Sequence, residues 1–496
     1  MAKIIKIISD FKRIGLNKYI YISGYVFISL IFMIFIQGTT KNSKEILNQS
    51  FIGEYQGHIC LQSKKIEPVK GDFQKIVSHL IIKNECSFIW NADIQKSGKY
   101  AIVFSYAANE PGKVAFSTNG QPAYEEALKR TTGIYEVREQ WYQFNCLRKK
   151  LNGNLRLQKG TQEISFTITP SETDKNFVFQ SVELIPVSDL KKIEAQTKRI
   201  IAARADTRWF RSIPYGVMFH WTSETAPQKG EPKPFKEAVQ EFNVEKFANM
   251  VVETGAGYVI FTIGHAQPYC PAPLDSWEKY HPGMTTKRDL IMELADELSK
   301  RNIKLICYLP TPMLSQNPKV NESRINVDIL QEMGNRYKEK ISGYWFDNCQ
   351  VFREYPNVSL EDFFKATKVG NPGRLTALNS WLYPVVTQWQ DYWAGETYSS
   401  CVPPKSNIVE DGPGAGLQFH SLLALEGDWV YARYLYKNDK QIPAPVFDTT
   451  YLINLISSCK GKGPITLNVL IYQDGTISQR SMDVLKTLKK SFRETN

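Results

Sequence analysis

Three patterns of apolar and polar positions divide the chain. Residues 19–40, YIYISGYVFISLIFMIFIQGTT, carry no charge and are apolar on every face. About 20 such residues span a bilayer. Over residues 45–190 short β-branched and aromatic runs follow, several of them alternating: YAIVFSY (100–106), KVAFST (113–118), QEISFTITP (162–170) and VFQSVELIPV (178–187). Turn signals separate them at Glu110-Pro111-Gly112, Asn119-Gly120, Asn152-Gly153 and Lys159-Gly160. Short strands with frequent turns predict an all-β sandwich. Residues 191–210 read as a connecting helix. Over residues 211–496 strand-like runs alternate with helical ones. The strands predicted are 215–220, 257–264, 303–309, 343–347, 374–380, 390–395, 419–425 and 464–470. Clear helices fall at 243–255, 286–302 and 481–492; in the second, Leu290, Ile291, Leu294 and Leu298 form one stripe. The pattern predicts the α/β class, as a (β/α)8 TIM-like barrel preceded by the sandwich and by the apolar N-terminal helix. A doubly wound open sheet is the alternative, and no Gly-x-Gly-x-x-Gly after a strand supports it.

Charge refines the N-terminal reading. Lys3, Lys6, Lys12, Arg13 and Lys18 precede the apolar run against one Asp10. A basic leader over 1–18 predicts a cytoplasmic N-terminus and export of the remainder. The run is then a signal anchor facing the chain outward, or a cleaved signal peptide releasing a secreted or periplasmic protein. The long leader and the lack of an Ala-x-Ala site favour the membrane anchor. The whole chain carries 61 Lys+Arg against 50 Asp+Glu, a net +11 spread over 496 residues. No basic block marks a nucleic-acid partner. Eight cysteines without a CxxC pair argue against a zinc site, and no cofactor or metal is expected; export would permit disulfides of unreadable connectivity.

Candidate chemistry lies where barrel enzymes keep it, at the C-terminal strand ends. The predicted ends are unusually polar: His220-Trp221, His265, Tyr308, Asp347-Asn348, Asn379, Glu396 and His420. Three of only six histidines fall there. Asp347 closes GYWFD, a run otherwise apolar and aromatic, where a carboxylate is costly unless it faces the barrel mouth. The competing role for it is a helix N-cap. In the sandwich, Trp90, Trp141 and Tyr142 offer rings for sugar stacking, or are core.

The C-terminal segment resembles the α-L-fucosidase family of glycoside hydrolases. The family's Gly-(Met/Ile)-Phe-x-His-Trp-Gly is similar to Gly216-Val217-Met218-Phe219-His220-Trp221, with Thr222 for the last glycine. Glu241-Phe242-Asn243 with its following helix matches, and Lys287-Arg288-Asp289-Leu290 is intact. Trp345-Phe346-Asp347 stands for Trp-Phe-Asp-Gly, with Asn348 last. The stretch LISSCKGKGPITLNVLIYQDGTI resembles the family's closing signature. The likeness spans about residues 210–490. It implies Asp347 as nucleophile, with His220 and His265 holding sugar hydroxyls. Trp221, Tyr308, Trp345, His420 and Trp429 complete the expected substrate-binding set. Two departures stand out: Ala266 replaces the second histidine of a His-His pair, and the family's usual acid position falls on His420. Glu396, taken to follow the 390–395 strand, is the expected acid/base. The tail of the sandwich, LRLQKGTQEISFTI and FQSVELIPV, resembles jelly-roll carbohydrate-binding modules.

The resemblance implies a glycosidase that cleaves a terminal α-L-fucosyl or related linkage with retention, and the leader adds the expectation that it is exported. Its partner would be a fucosylated glycan, and the positive charge leans toward acidic or sulfated ones. Two alternatives stay open: a non-catalytic glycan-binding protein on a degenerate barrel, and a glycosidase of shifted sugar specificity.

Overall fold

The computed structural model describes residues 59–493, apart from 77–78, 132–133, 138–140, 145–146, 175, 266, 311–321, 350–358, 381–384, 399–400, 410–413 and 433–440. The basic leader and the apolar run 19–40 lie outside the described residues, as do Ala266 and Cys146. Among the described residues no helix is long and apolar enough to cross a membrane. Cys86, Cys270, Cys307, Cys401 and Cys459 are free thiols.

Twelve strands come first: β1 (Ile59–Gln62), β2 (Phe73–Ile76), β3 (His79–Ile82), β4 (Cys86–Ile94), β5 (Gly98–Ala107), β6 (Gly112–Thr118), β7 (Gln121–Leu128), β8 (Ile134–Val137), β9 (Trp141–Phe144), β10 (Leu147–Leu157), β11 (Gly160–Thr169) and β12 (Phe177–Pro186). One sheet runs β10-β5-β12-β3-β2 with β1 also on β12; the other runs β4-β11-β6-β7. Every pairing is antiparallel. The period of two is plain in β4, where Cys86, Phe88, Trp90, Ala92 and Ile94 turn inward and the residues between them turn out. Phe88 faces Phe166 across the ladder with ring centroids 4.8 Å apart, and Phe179 of the opposite sheet packs on both at 5.4 and 5.5 Å. Trp90 is therefore core and not a sugar platform. The side chains of Trp141 and Tyr142 are outside the described part. Asn119 and Gly120 both hold positive φ, 49° and 74°, the backbone that a tight β6–β7 hairpin turn demands.

The connector is two helices, α1 (Leu190–Ala203) and the short α2 (Arg208–Ser212). Eight strands then appear: β13 (Tyr215–Phe219), β14 (Tyr258–Thr262), β15 (Lys304–Pro310), β16 (Gly343–Asp347), β17 (Leu375–Leu378), β18 (Glu396–Tyr398), β19 (Ser421–Ala424) and β20 (Ile465–Asn468). All pairings are parallel, in the order β17-β16-β15-β14-β13-β20-β19-β18. The first strand pairs with the last, and among the described residues no ladder joins β17 to β18, so the parallel sheet is a barrel left open at that seam. Between them came α3 (Phe235–Glu241), α4 (Val244–Thr254), α5 (Asp275–Tyr280), α6 (Leu290–Ser299), α7 (Glu322–Tyr337), α8 (Leu360–Thr367) and α9 (Thr449–Cys459), and α10 (Gln479–Arg493) closes the described chain.

Strands buried on both faces read as continuous apolar runs, which is why the barrel strands were legible without alternation. Met218, Tyr258, Ile306, Tyr308, Trp345 and Leu422 fill the interior, plugged by Phe210 of α2. Their neighbours Val217, Phe219, Phe261, Tyr344 and Phe346 face the helices. Two expectations need correction. Residues 390–395 are not a strand: the sixth strand is β18, so Glu396 opens it instead of following it. On the outer edge of β17 side chains meet two N–H groups, Thr376 N donating to Asp391 Oδ2 at 2.7 Å and Leu378 N to Gln390 Oε1 at 2.9 Å, while Thr376 O accepts Asp391 N at 2.8 Å. Also, among the described residues no helix follows β17 or β18. Helix α1 packs there instead. Ile200 meets Phe364 and Trp389, Arg199 pairs with both oxygens of Glu361 at 2.8 Å, and Arg204 donates to the Gln388 and Gly416 carbonyls.

Candidate active site

Two family-like motifs turn out to be scaffold. Asn243 Oδ1 caps α4 by accepting Lys246 N at 2.9 Å. Asp289 Oδ1 caps α6 by accepting Met292 N at 3.0 Å, so that helix begins at Leu290 and not at residue 286. Arg288 donates to the Val239, Gln240 and Phe242 carbonyls at 2.8, 3.0 and 2.9 Å, closing the orphaned C-terminus of α3.

Asp347 ends β16 at the barrel mouth, and Asn348 follows it at φ 58°, the left-handed backbone that turns the chain away. Its carboxylate accepts two hydrogen bonds: Tyr308 Oη donates to Oδ2 at 2.7 Å and Asn379 Nδ2 to Oδ1 at 2.9 Å. The same Asn379 nitrogen donates its other hydrogen to Glu396 Oε2. Asn379 is itself fixed by backbone bonds to the end of β16, its N–H donating to Phe346 O at 2.7 Å and its carbonyl accepting Cys349 N at 2.8 Å. Burial and the nearby Asp347 charge push the Glu396 carboxyl up to about 8, against the pull of the Asn379 hydrogen bond. One of the pair is therefore a proton donor at neutral pH, while Asp347 is surrounded by donors.

The histidines stand across the mouth. His220 Nδ1 lies 2.7 Å from Asn468 Oδ1. The Asn468 amide nitrogen already donates to the Asp428 and Trp429 carbonyls, at 3.0 and 3.1 Å, so its oxygen faces His220. The proton of His220 therefore sits on Nδ1, and Nε2 is left as an acceptor. Burial first, then the adjacent His265, depress the His220 imidazole to about 3, so it is neutral. His265 is also depressed by burial, with the Asp347 charge opposing that. The rings form one continuous wall: His220 lies 5.0 Å from Tyr308, 5.7 Å from His265 and 5.9 Å from Trp429. Trp345 stacks under Tyr308 at 5.3 Å and donates to Ala394 O at 3.2 Å, forming the floor. Tyr398, at φ 61°, packs on Trp429 at 5.5 Å.

The structure thus gathers Asp347, Glu396, His220, His265, Tyr308, Trp345 and Trp429, but not the other two residues expected. Trp221 follows His220, so alternation turns it outward; it is 1% exposed among Phe235, Phe242 and Phe261 and donates to Gln473 O at 3.0 Å. His420 precedes β19, at the opposite end of the strand from the mouth. It is fully buried between Phe210 and Tyr392, with Nδ1 2.9 Å from Ala394 O and Nε2 accepting from Thr466 Oγ1 at 2.6 Å. Burial depresses it to about 4, a neutral spacer within the barrel. Sequence reasoning noted Asn379 at a strand end without giving it a role, and passed over Asn468 and Tyr398. Asn468 was visible as the one polar residue in a buried strand end.

Comparison with known proteins now bears on this geometry. A family model described as alpha-L-fucosidase matches residues 232–493, more than half of the chain. The chain belongs to the α-L-fucosidase family of glycoside hydrolases. A second model, described as delta endotoxin, matches residues 79–188, within the sandwich. No curated protein matches the chain. Among solved structures, an α-L-fucosidase of glycoside hydrolase family 29 from Bacteroides thetaiotaomicron is 16% identical over 57% of this chain and 72% of its own, with a TM-score of 0.43. α-L-Fucosidase isoenzyme 1 from Paenibacillus thiaminolyticus is 17% identical over 58% and 75%, with a TM-score of 0.43. An endo-fucoidan hydrolase of glycoside hydrolase family 107 is 13% identical over 58% and 93%, with a TM-score of 0.41.

Proposed function

We propose that this α-L-fucosidase family member hydrolyses a terminal α-L-fucosyl or closely related linkage with retention of configuration. Asp347 is the nucleophile and Glu396 the acid/base. The observation that carries the reading is the single Asn379 nitrogen hydrogen-bonded to both carboxyl groups. Two oxygens on one amide nitrogen lie at most about 6 Å apart, and nearer 5 Å when the two N–H directions diverge by about 120°. Retaining enzymes hold their carboxyl groups about 5–5.5 Å apart, whereas inverting ones need about 6.5–9.5 Å to admit water.

In the first step Asp347 attacks the anomeric carbon while Glu396 gives its proton to the departing glycosidic oxygen. With Oε2 held by Asn379, the proton sits on Oε1. The glycosyl ester on Asp347 is then cleaved by water, whose proton returns to Glu396. His220 Nε2 is placed to accept a sugar hydroxyl, His265 and Trp429 flank it, and Trp345 forms the base of the pocket. No metal takes part in these steps. The basic leader and the apolar run 19–40 support export with an anchor in the membrane or cleavage to a free protein. A fucosylated glycan, acidic or sulfated by the lean of the +11 charge, is the proposed partner. The test is turnover of a nitrophenyl α-L-fucoside by the purified protein, with the first-formed anomer read by proton NMR. Release of the α-anomer by wild type and none by Asp347→Asn supports the reading. Appearance of the β-anomer first would overturn retention, and no turnover by wild type would overturn the fucosidase assignment.

A further inference from the structure

Asn379 holds three kinds of contact at once. Its backbone is locked to the end of the nucleophile strand on both sides, by Phe346 O and Cys349 N. Its side-chain nitrogen spends both hydrogens on the two carboxyl groups. The Glu396 that it reaches opens β18, across the seam where, among the described residues, no ladder joins β17 to β18. Backbone bonds to β17 come from the segment ahead of β18, Asp391 N and Tyr392 N donating to Thr376 O at 2.8 and 3.5 Å. We infer that Asn379 is the positioning residue of this site: its amide is the polar strut across the open seam that sets the spacing of Asp347 and Glu396. The inference rests on the roles proposed for Asp347 and Glu396.

The strut donates to both partners, so it stabilises each as an anion. Asp347 has a second donor in Tyr308, at 2.7 Å. Glu396 faces Asp347 as a like charge and is buried, which favours its protonated form. The other titratable groups at the mouth, His265 and His220, are held neutral by burial, and His420 below is neutral as well. Losing the strut should therefore act on Glu396 more than on Asp347. The alkaline limb of activity, where Glu396 loses its proton, should move to higher pH.

The experiment compares wild type, Asn379→Ser, Asn379→Asp and Glu396→Gln by the pH dependence of kcat/KM on a fucosyl disaccharide, whose leaving group needs the proton. Asn379→Ser is expected to lower kcat by roughly tenfold or more through lost alignment, leave KM nearly unchanged, and raise the alkaline limb by about one pH unit. Asn379→Asp is expected to raise it further, since a third carboxylate adds repulsion. It should also recover activity at acid pH, where the new carboxyl is protonated and can again donate. Glu396→Gln should abolish the alkaline limb altogether. An unmoved limb in both Asn379 variants, with the limb lost in Glu396→Gln, overturns the role of Asn379 alone. A limb that survives Glu396→Gln, or a wild type without turnover, overturns the reading of the site and this inference with it.

Discussion

At the scale of single residues, the site is built from groups whose protonation is decided by what surrounds them. Glu396 is held protonated to about pH 8 by burial and by Asp347. Its effect should depend on the leaving group. Glu396→Gln is expected to slow cleavage of a natural glycosidic bond by about 10²–10⁴. It should slow formation of the glycosyl-enzyme from a nitrophenyl fucoside far less, because that leaving group scarcely needs a proton. Pre-steady-state release of nitrophenol checks this: equal losses on both substrates would remove Glu396 as the acid. His220 offers a second case. Its Nε2 is an acceptor only because Asn468 fixes the proton on Nδ1. His220→Phe keeps a ring against Tyr308 and Trp429 but removes the acceptor. A fall in kcat/KM of about 10–100-fold is expected from the lost sugar contact, measured with folding checked by circular dichroism.

At the scale of elements, the sequence carried β13, β14 and β16 well because each is a largely apolar run followed or ended by a polar residue. GYWFD is β16 residue for residue. The same signal misled at 390–395. Tyr392, Trp393 and Ala394 are buried, but the segment meets β17 through the Gln390 and Asp391 side chains and through Asp391 N and Tyr392 N on the one carbonyl of Thr376, and among the described residues makes only an isolated bridge from Tyr392 to Gln418. Trp221 and His420 were misplaced for a related reason: apolar runs reveal a strand but not the phase of its alternation or where its ends fall. The charged motif Arg288-Asp289, which lies within the segment matched by the family, serves as capping chemistry. Asp289 accepts from Met292 N, from Arg336 Nε at 2.7 Å and from Tyr337 Oη at 3.1 Å. Asp289→Ala removes all three. A loss of about 2 kcal/mol is expected, read as a lower urea midpoint, with KM for fucoside unchanged because the carboxylate's partners Met292, Arg336 and Tyr337 are helix residues outside the candidate site. A shift confined to KM would contradict the scaffold role.

At the scale of the whole molecule, buried acids and buried histidines oppose each other in their effect on stability. Glu396 and Glu426 are raised to about 8 and about 7 by burial, Glu396 also by Asp347. Glu426 sits away from the reacting pair as far as its contacts show, accepting Leu470 N at 3.0 Å and Ser481 Oγ at 2.5 Å. Between an unfolded value near 4.5 and these folded values the native state binds more protons than the unfolded chain, so stability is lost as pH rises through that window. His220, His420 and His79 are depressed by burial to about 3, 4 and 4. Below an unfolded value near 6.5 the unfolded chain binds protons that the native state cannot, so stability is lost as pH falls. The two slopes cross close to pH 6.5, where maximum stability is expected in a series of urea melts. Glu396→Gln should flatten the alkaline slope between pH 6.5 and 8 and stabilise the protein most at pH 8, while leaving the acid slope in place. An unchanged alkaline slope in that variant would mean that Glu396 is not held protonated in the folded protein. The proton available to the leaving group would then have to come from elsewhere. Greater stability together with lost activity would show the same buried acid destabilising the fold at alkaline pH and serving the reaction near neutrality.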